Sequence, residues 1–65
     1  SLPGNIVKIL KKEGDKISMN TPVLVMEAMK MENEIVSPGN GKLKKIYVSV
    51  GQKVDKDELL FEIES

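Results

Sequence analysis

The second half of this 65-residue sequence loosely repeats the first half. The matching segments are residues 3–5 with 38–40, 11–17 with 48–54, and 22–27 with 59–64. The offset is 35 residues at the first match and 37 at the other two, so a two-residue insertion in the second half reconciles them. A chain this short buries only about 60% of its unfolded surface, and its core is thin. The repeat therefore predicts a pseudo-twofold domain whose halves bury one another.

The apolar residues form short clusters rich in valine and isoleucine, separated by Gly, Pro, Asn and Asp. This spacing favours several short strands over helices. Two clusters alternate with a period of two, which is the signature of a strand. The residues that share a face are Ile46, Val48 and Val50 in one cluster and Leu59, Phe61 and Ile63 in the other. We predict an all-β fold, a flattened β-barrel or sandwich of two antiparallel sheets with pseudo-twofold symmetry.

The composition excludes several classes of function. The sequence has no Cys and no His, so it offers no disulfide, no thiolate metal site and no His-based catalytic triad. Ten lysines balance ten carboxylates, and this zero net charge gives no basic field for nucleic acid. The longest apolar run is too short to span a membrane, and no signal-peptide pattern is present. We expect a small cytoplasmic domain with no catalytic residue, no metal ligand and no membrane insertion.

Several positions carry backbone expectations of their own. Gly14 and Gly51 are related by the 37-residue offset and are predicted to lie in tight turns. Asn20 and Asp57 are related in the same way, and both residue types tolerate a left-handed backbone. Met19 and Met26 are predicted to fill the core, as methionine commonly does.

The repeat also predicts a strand that the sequence lacks. Residues 31–36 precede the second Pro-Gly, whereas only two residues precede the first. We therefore expect residues 1–65 to form a single domain, the C-terminal part of a longer chain with its first strand truncated. Such a domain would expose an incomplete sheet edge near its termini.

Lys30 is predicted to lie on a tip between the two halves. Residues 28–31 contain no Gly, Pro, Asn or Asp, so they form a poor turn by the usual hairpin rules, and a helix is a real rival. The repeat decides between them, because the first half ends near Glu27 and the next strand begins near Met31. The chain must reverse in between, which places Lys30 on a hairpin opposite the termini.

The run Glu27-Ala28-Met29-Lys30-Met31-Glu32-Asn33 resembles the attachment site of the biotinyl domains of biotin-dependent carboxylases. The resemblance extends over nearly the whole chain, through the Pro-Gly, Gly-Asp-Lys-Ile and Val-Gly-Gln-Lys-Val segments. The chain resembles the thumbless type of biotin carboxyl carrier protein. It has no extra segment between Glu13 and Val23 of the kind that forms a protruding thumb in other carriers. The resemblance implies the barrel-sandwich fold of biotinyl and lipoyl domains.

The resemblance also implies roles for the residues of this run. Lys30 would carry covalent biotin, attached by a biotin protein ligase. Glu27 and Ala28 would help the ligase to recognise this lysine, and Met29 and Met31 would help to position biotin at partner sites. The domain would be a non-catalytic carrier of carboxybiotin between a biotin carboxylase and a carboxyltransferase or decarboxylase component.

Two other functions compete with this interpretation. A lipoyl carrier of a 2-oxo acid dehydrogenase type complex resembles the same fold and also uses a hairpin lysine. Lipoyl domains usually present Asp before that lysine and Ala or Val after it, whereas this chain has Met29 and Met31 there. An unmodified β interaction module is the second alternative, and it would leave the lysine without a purpose. A stand-alone enzyme is the least favoured, because no catalytic constellation is recognisable.

Overall fold

Seven short β-strands form the regular structure of this computed structural model, which describes residues 3–55 and 58–65. No helix occurs in these two ranges, so the predicted all-β class is confirmed. The strands are β1 (Gly4–Ile9), β2 (Lys16–Ile17), β3 (Pro22–Ala28), β4 (Met31–Val36), β5 (Gly41–Ile46), β6 (Lys53–Val54) and β7 (Phe61–Glu64).

The strands pair into two antiparallel sheets. One has the order β4-β3-β1-β6 and the other has the order β2-β5-β7. The buried side chains form two clusters, and the half-buried Ile46 and Phe61 contact both of them. The clusters are Ile6, Leu24, Met26, Val48 and Val54 in one, and Ile17, Val23 and Leu43 in the other. The two halves therefore bury one another, as the repeat predicts.

Backbone pairing repeats with an offset of 37 residues. Asn5 pairs with Glu27, and Lys42 pairs with Glu64. The β1–β3 ladder shifts register between Ile6 and Lys8, and the β5–β7 ladder shifts at the corresponding point, between Leu43 and Lys45. Loop hydrogen bonds repeat in the same way. Gly14 N–H donates to Leu43 C=O at 2.7 Å, and Gly51 N–H donates to Ile6 C=O at 2.7 Å. The pseudo-twofold relation is thus a property of the hydrogen bonds themselves.

The turn residues named from the sequence adopt the expected backbone. Gly14 and Gly51 have φ values of 95° and 90°, and Asn20 has a φ of 67°. Asp57, the counterpart of Asn20, lies outside the described residues. The three residues lie in turns, where a left-handed backbone reverses the chain before the strands β2, β3 and β6.

Some expectations from the sequence are wrong. The Pro-Gly-Asn match is not a structural equivalence, because the ladders relate Gly4 to Gly41 and not to Gly39. β5 ends at Ile46, so Val50 lies beyond the strand and is exposed. Leu59 is also exposed, since β7 begins only at Phe61.

The two methionines that are predicted to fill the core differ in their burial. Met26 is 4% exposed on β3, as predicted, whereas Met19 is exposed in the turn before that strand. The Met19 N–H donates to the Asn40 Oδ1 at 2.8 Å, which ties this turn to the loop before β5. Backbone bonding, and not side-chain burial, fixes Met19.

The described residues contain no counterpart of β4 beside β7. A strand related to β4 by the pseudo-twofold axis would precede Pro3 and would pair with the free edge of β7. The truncated first strand therefore stays a prediction.

The β3–β4 hairpin reverses through only two residues, Met29 and Lys30. The ladder continues up to the pair Ala28 and Met31, and the two residues between them have φ values of 54° and 65°. A two-residue loop with positive φ at both central residues is the turn that matches the twist of the flanking strands. Such turns favour Asn and Gly, and this one has neither. Each non-glycine residue in this conformation costs about 1–2 kcal/mol.

Replacing Met29 by glycine should stabilise the fold, because glycine adopts a positive φ without the clash at Cβ. We expect Met29→Gly to be about 1 kcal/mol more stable than Met29→Ala. Both variants lose the exposed thioether, but only the glycine variant loses the backbone strain of a positive φ. Urea unfolding of the two variants measures the difference. Equal midpoints and slopes would show that this turn is not strained.

Tyr47 and Glu62 link the chain beyond β5 to β7. The Tyr47 hydroxyl donates to the Glu62 Oε1 at 2.7 Å, and the Lys44 Nζ lies 3.7 Å from the Glu62 Oε2. The hydrogen bond from Tyr47, and next the charge of Lys44, lower the pKa of Glu62 below its usual 4.5. The same bond raises the pKa of Tyr47 above its usual 10.0. Because the folded pKa of Glu62 is the lower one, its stabilising effect is present above pH 4.5 and is lost as the pH falls through that folded value.

Removing the Tyr47 hydroxyl should release this shift. We expect Tyr47→Phe to raise the pKa of Glu62 more than Lys44→Ala does, because the hydrogen bond is the larger cause. Carbon-13 NMR titration of the side-chain carboxyl measures each pKa. A Glu62 pKa that is unchanged in the Phe variant would rule out the bond in solution.

Candidate functional site

Lys30 lies at the tip of the β3–β4 hairpin, two residues after Ala28 and one residue before Met31, which form the last ladder pair. Its side chain is exposed, and within residues 3–55 and 58–65 its amine makes no hydrogen bond or ion pair. The supporting strand β3 is anchored in the core by the buried side chains of Val23, Leu24 and Met26. An exposed amine thus sits at the end of a paired hairpin, where the repeat predicts it.

The methionines on either side of Lys30 are exposed. Met29 is 78% and Met31 is 66% exposed, whereas Met26 on the same hairpin is buried. Two exposed apolar side chains beside one amine form an adaptable contact surface, because the thioether is flexible and polarizable. They contribute nothing to the core. Burial therefore does not account for Met29 and Met31, and both thioethers are accessible to another molecule.

Glu27 and Glu32 face each other across the hairpin just below the tip. Both are exposed, and like charges directly opposite one another in a sheet are destabilising. Glu34 follows on β4, opposite Val25. Glu32 belongs to the run that carries the resemblance, but no role was predicted for it from the sequence. The hairpin therefore presents a lysine above a pair of carboxylates.

Ala28 supports the turn from below. Its side chain is only 8% exposed, so it offers little surface to a partner. Nearby, a Cβ at Gly4 would collide with the backbone carbonyl of Glu27. A residue without a side chain is needed there for β1 to approach β3 at the base of the tip.

An open groove lies beside the turn, with Lys30 at its edge. Its other lining residues come from three parts of the chain: Pro3, Gly4 and Asn5, then Glu27, Ala28 and Met29, then Lys53 and Asp55. Sequence reasoning did not place Asn5, Lys53 and Asp55 at this site, because they reach it only through the β1–β6 pairing.

The groove also corrects the expected position of the N-terminus. Lys30 was predicted to lie opposite both termini, yet Pro3 lines the same groove as Lys30. The reason is that β1 runs antiparallel to β3, so the start of β1 meets the end of β3. Ser65 lies in a second groove with Asn40, at the other end of the hairpin, where Asn20 N–H donates to Ser37 C=O.

The chemical groups at this site are an exposed amine, two exposed thioethers and two exposed carboxylates. Within the described residues, no group of three or more His, Cys, Asp or Glu side chains could hold a metal ion. In the same ranges, no helix is long and apolar enough to cross a bilayer. What the arrangement offers is one accessible primary amine on a fixed tip. Such an amine fits a group that is attached by an amide bond and is held away from the protein by the lysine side chain.

Comparison with known proteins agrees with this geometry. A family model described as "Biotin-requiring enzyme" matches residues 2–63. The chain is 47% identical over 62 residues to a biotin carboxyl carrier protein of Streptococcus mutans, with 95% of this chain and 48% of that protein covered. It is 46% identical over 55 residues to the biotin carboxyl carrier protein of acetyl-CoA carboxylase from Solanum lycopersicum, with 85% of this chain and 79% of that protein covered.

A solved structure gives the same result for the fold. The urea carboxylase of Kluyveromyces lactis matches with a TM-score of 0.91 and 28% identity, over 97% of this chain and 6% of that one. The chain thus spans about half the length of one curated relative and a small part of this large carboxylase. On the family match, and on the identity to one relative of similar length, this chain belongs to the biotin-requiring enzyme family, as a biotinyl-type domain.

Proposed function

We propose that this chain is a biotin carrier domain, in which a biotin protein ligase joins biotin through an amide bond to the Nζ of Lys30. The observation that carries the proposal is the position of Lys30 on a two-residue turn between the exposed Met29 and Met31. Biotin supplies a ring nitrogen that takes up and gives back a carboxyl group. The domain itself supplies no catalytic residue.

The residues of the chain have distinct tasks in this function. The buried face of β3 and the pair Ala28 and Met31 hold the turn, so the amine starts from a fixed point. Amide formation removes the positive charge of Lys30 and lengthens the arm. An attached group then explores only the volume within reach of the tip, which raises its effective concentration at a docked partner.

We assign Glu27 and Glu32 to recognition by the ligase. Their like charges face each other at an energetic cost, and that cost falls when a basic partner contacts them. The carboxylates lie below Lys30 on the hairpin, so a ligase that contacts both has its active site over this lysine. The chain has nine other lysines and none of them has this surrounding in the sequence.

Beyond the ligase, we propose two further partners, a biotin carboxylase and a carboxyltransferase or decarboxylase component. Domains similar to this one occur in the pyruvate carboxylase of Bacillus subtilis and in a methylcrotonoyl-CoA carboxylase subunit of Arabidopsis thaliana. Met29 and Met31 would contact these partners, because they flank the attachment point on both sides. We place this work in the cytoplasm.

Biotinylation at Lys30 is tested by intact mass. After incubation with a biotin protein ligase, ATP and biotin, the chain should gain the mass of one biotinyl group. Lys30→Arg should gain none, because its guanidinium is not acylated while its positive charge and length are largely kept. Peptide mapping should place the added mass on Lys30.

Two results would contradict this proposal. A folded chain that gains no mass is not a substrate of the ligase, and the same assay with a lipoate ligase then tests a lipoyl carrier. A mass gain that persists in Lys30→Arg places the modification on another lysine.

The recognition role predicts an effect of charge at Glu27. We expect Glu27→Gln to lower the kcat/KM of biotinylation about tenfold, which corresponds to about 1.4 kcal/mol. Glu64→Gln is the matched control, because Glu64 is the pseudo-twofold counterpart of Glu27 at the other end of the molecule. Equal losses in both variants, or no loss in either, would remove Glu27 from ligase recognition.

A further inference from the structure

We infer that the groove beside the β3–β4 turn is a resting site for the biotinyl group on Lys30, occupied when no partner engages it. The inference rests on the proposed function, since it needs biotin on Lys30. It adds a binding site on the carrier itself, made by residues that lie far from Lys30 in the sequence.

The groove has the right size and place. Its volume is about 550 Å³, and Lys30 lies on its edge next to Met29. The side away from the hairpin is formed by Asn5, Lys53 and Asp55. An arm fixed at the edge of a groove needs only to fold back over it, so no part of the protein has to move.

The lining suits the chemistry of biotin. Its ureido ring has two N–H donors and one carbonyl acceptor, and it is uncharged. The carboxylates of Glu27 and Asp55 accept hydrogen bonds, the Lys53 ammonium donates them, and the Asn5 amide does both. The hydrocarbon chain of the arm would lie against Met29 and Pro3.

Several of these polar groups have no other partner in the structure. Within residues 3–55 and 58–65, the side chains of Asn5, Glu27 and Lys53 make no hydrogen bond or ion pair, and the salt bridge found there joins Lys44 and Glu62. Polar groups that line a groove without engaging one another are available to a ligand. Water solvates these polar groups when the ligand leaves, so release does not leave a buried charge without a partner.

The tether allows this site to be weak and still be occupied. A short flexible linker gives an effective concentration in the millimolar range, so a dissociation constant of about 1 mM is enough for half occupancy. A partner that binds biotin more tightly then withdraws it. A resting site of this strength shields the ring between transfers without competing with them.

The pseudo-twofold relation supplies an internal control. The second groove, of about 880 Å³, is built on the equivalent backbone at the opposite end of the molecule. Lys16 lies in it where Lys53 lies in the first groove, and Glu64 lies where Glu27 does. The arm on Lys30 starts from the other end of the hairpin, so this second groove should stay empty.

The test compares the nitrogen-15 NMR spectra of the full chain before and after biotinylation, with complete loading verified by intact mass. We expect amide shifts at Asn5, Lys53 and Asp55 in addition to those at the turn, and none at Lys16 or Ser18. Nuclear Overhauser contacts between the ring protons of biotin and the side chain of Asn5 or Lys53 should appear. Lys53→Ala should reduce the shift at Asn5 at least twofold, whereas Lys16→Ala should leave it unchanged.

The outcomes separate this inference from the function on which it rests. A fully biotinylated chain whose shifts are confined to residues 28–31 overturns the resting site and leaves the carrier function intact. A chain that gains no mass overturns the carrier function. Titration of the unmodified chain with millimolar biotin amide then tests the groove directly, and a lack of shifts at Asn5 and Lys53 rejects it.

Discussion

The fold depends on the contact between its two half-sized cores. Each sheet buries only a few side chains completely, and Ile46 and Phe61 join the two clusters by packing against both. Neither sheet could hide its apolar face without the other, and a chain of this length has little else to contribute. This contact supports the tip of the hairpin, because β3 forms one strand of the hairpin and also carries residues of the core.

The repeat in the sequence predicted the parts of the structure that depend on neighbours along the chain. The position of the Lys30 turn followed from it, as did the left-handed Asn20, while the spacing of the apolar clusters predicted the short strands. The sequence failed where burial is decided by distant partners. Val50, Leu59 and Met19 look like core residues in their own segments, yet all three are exposed because they lie outside the strands. Val50 follows the end of β5, whereas Leu59 and Met19 precede the starts of β7 and β3.

The site was only partly predictable for the same reason. Lys30 and its two methionines are contiguous, so a pattern along the chain finds them. The groove beside them joins the start of β1, the end of β3 and the residues around β6, which meet only because β1 pairs with both strands. The Pro-Gly-Asn match was misleading, because three identical residues suggested that Gly4 corresponds to Gly39. The strand pairing shows that Gly4 corresponds to Gly41.

The symmetry also shows how little is needed to make one end of a β-sandwich functional. Both ends have the same backbone frame and a groove of related outline. One of them continues from Ala28 into a turn with a lysine between two methionines. The difference between a structural end and a carrier end is thus confined to a few residues placed on a common support.

The left-handed turn affects how readily a protease can cleave the chain at its tip. A protruding tip with an exposed lysine is where proteolytic cleavage is expected. Enzymes that cut after lysine hold their substrate as an extended strand, and Lys30 has a φ of 65° in a turn closed by the pair Ala28 and Met31. To be cleaved, the hairpin would first have to open and give up that pairing. The geometry that exposes the amine therefore protects the peptide bond that follows it.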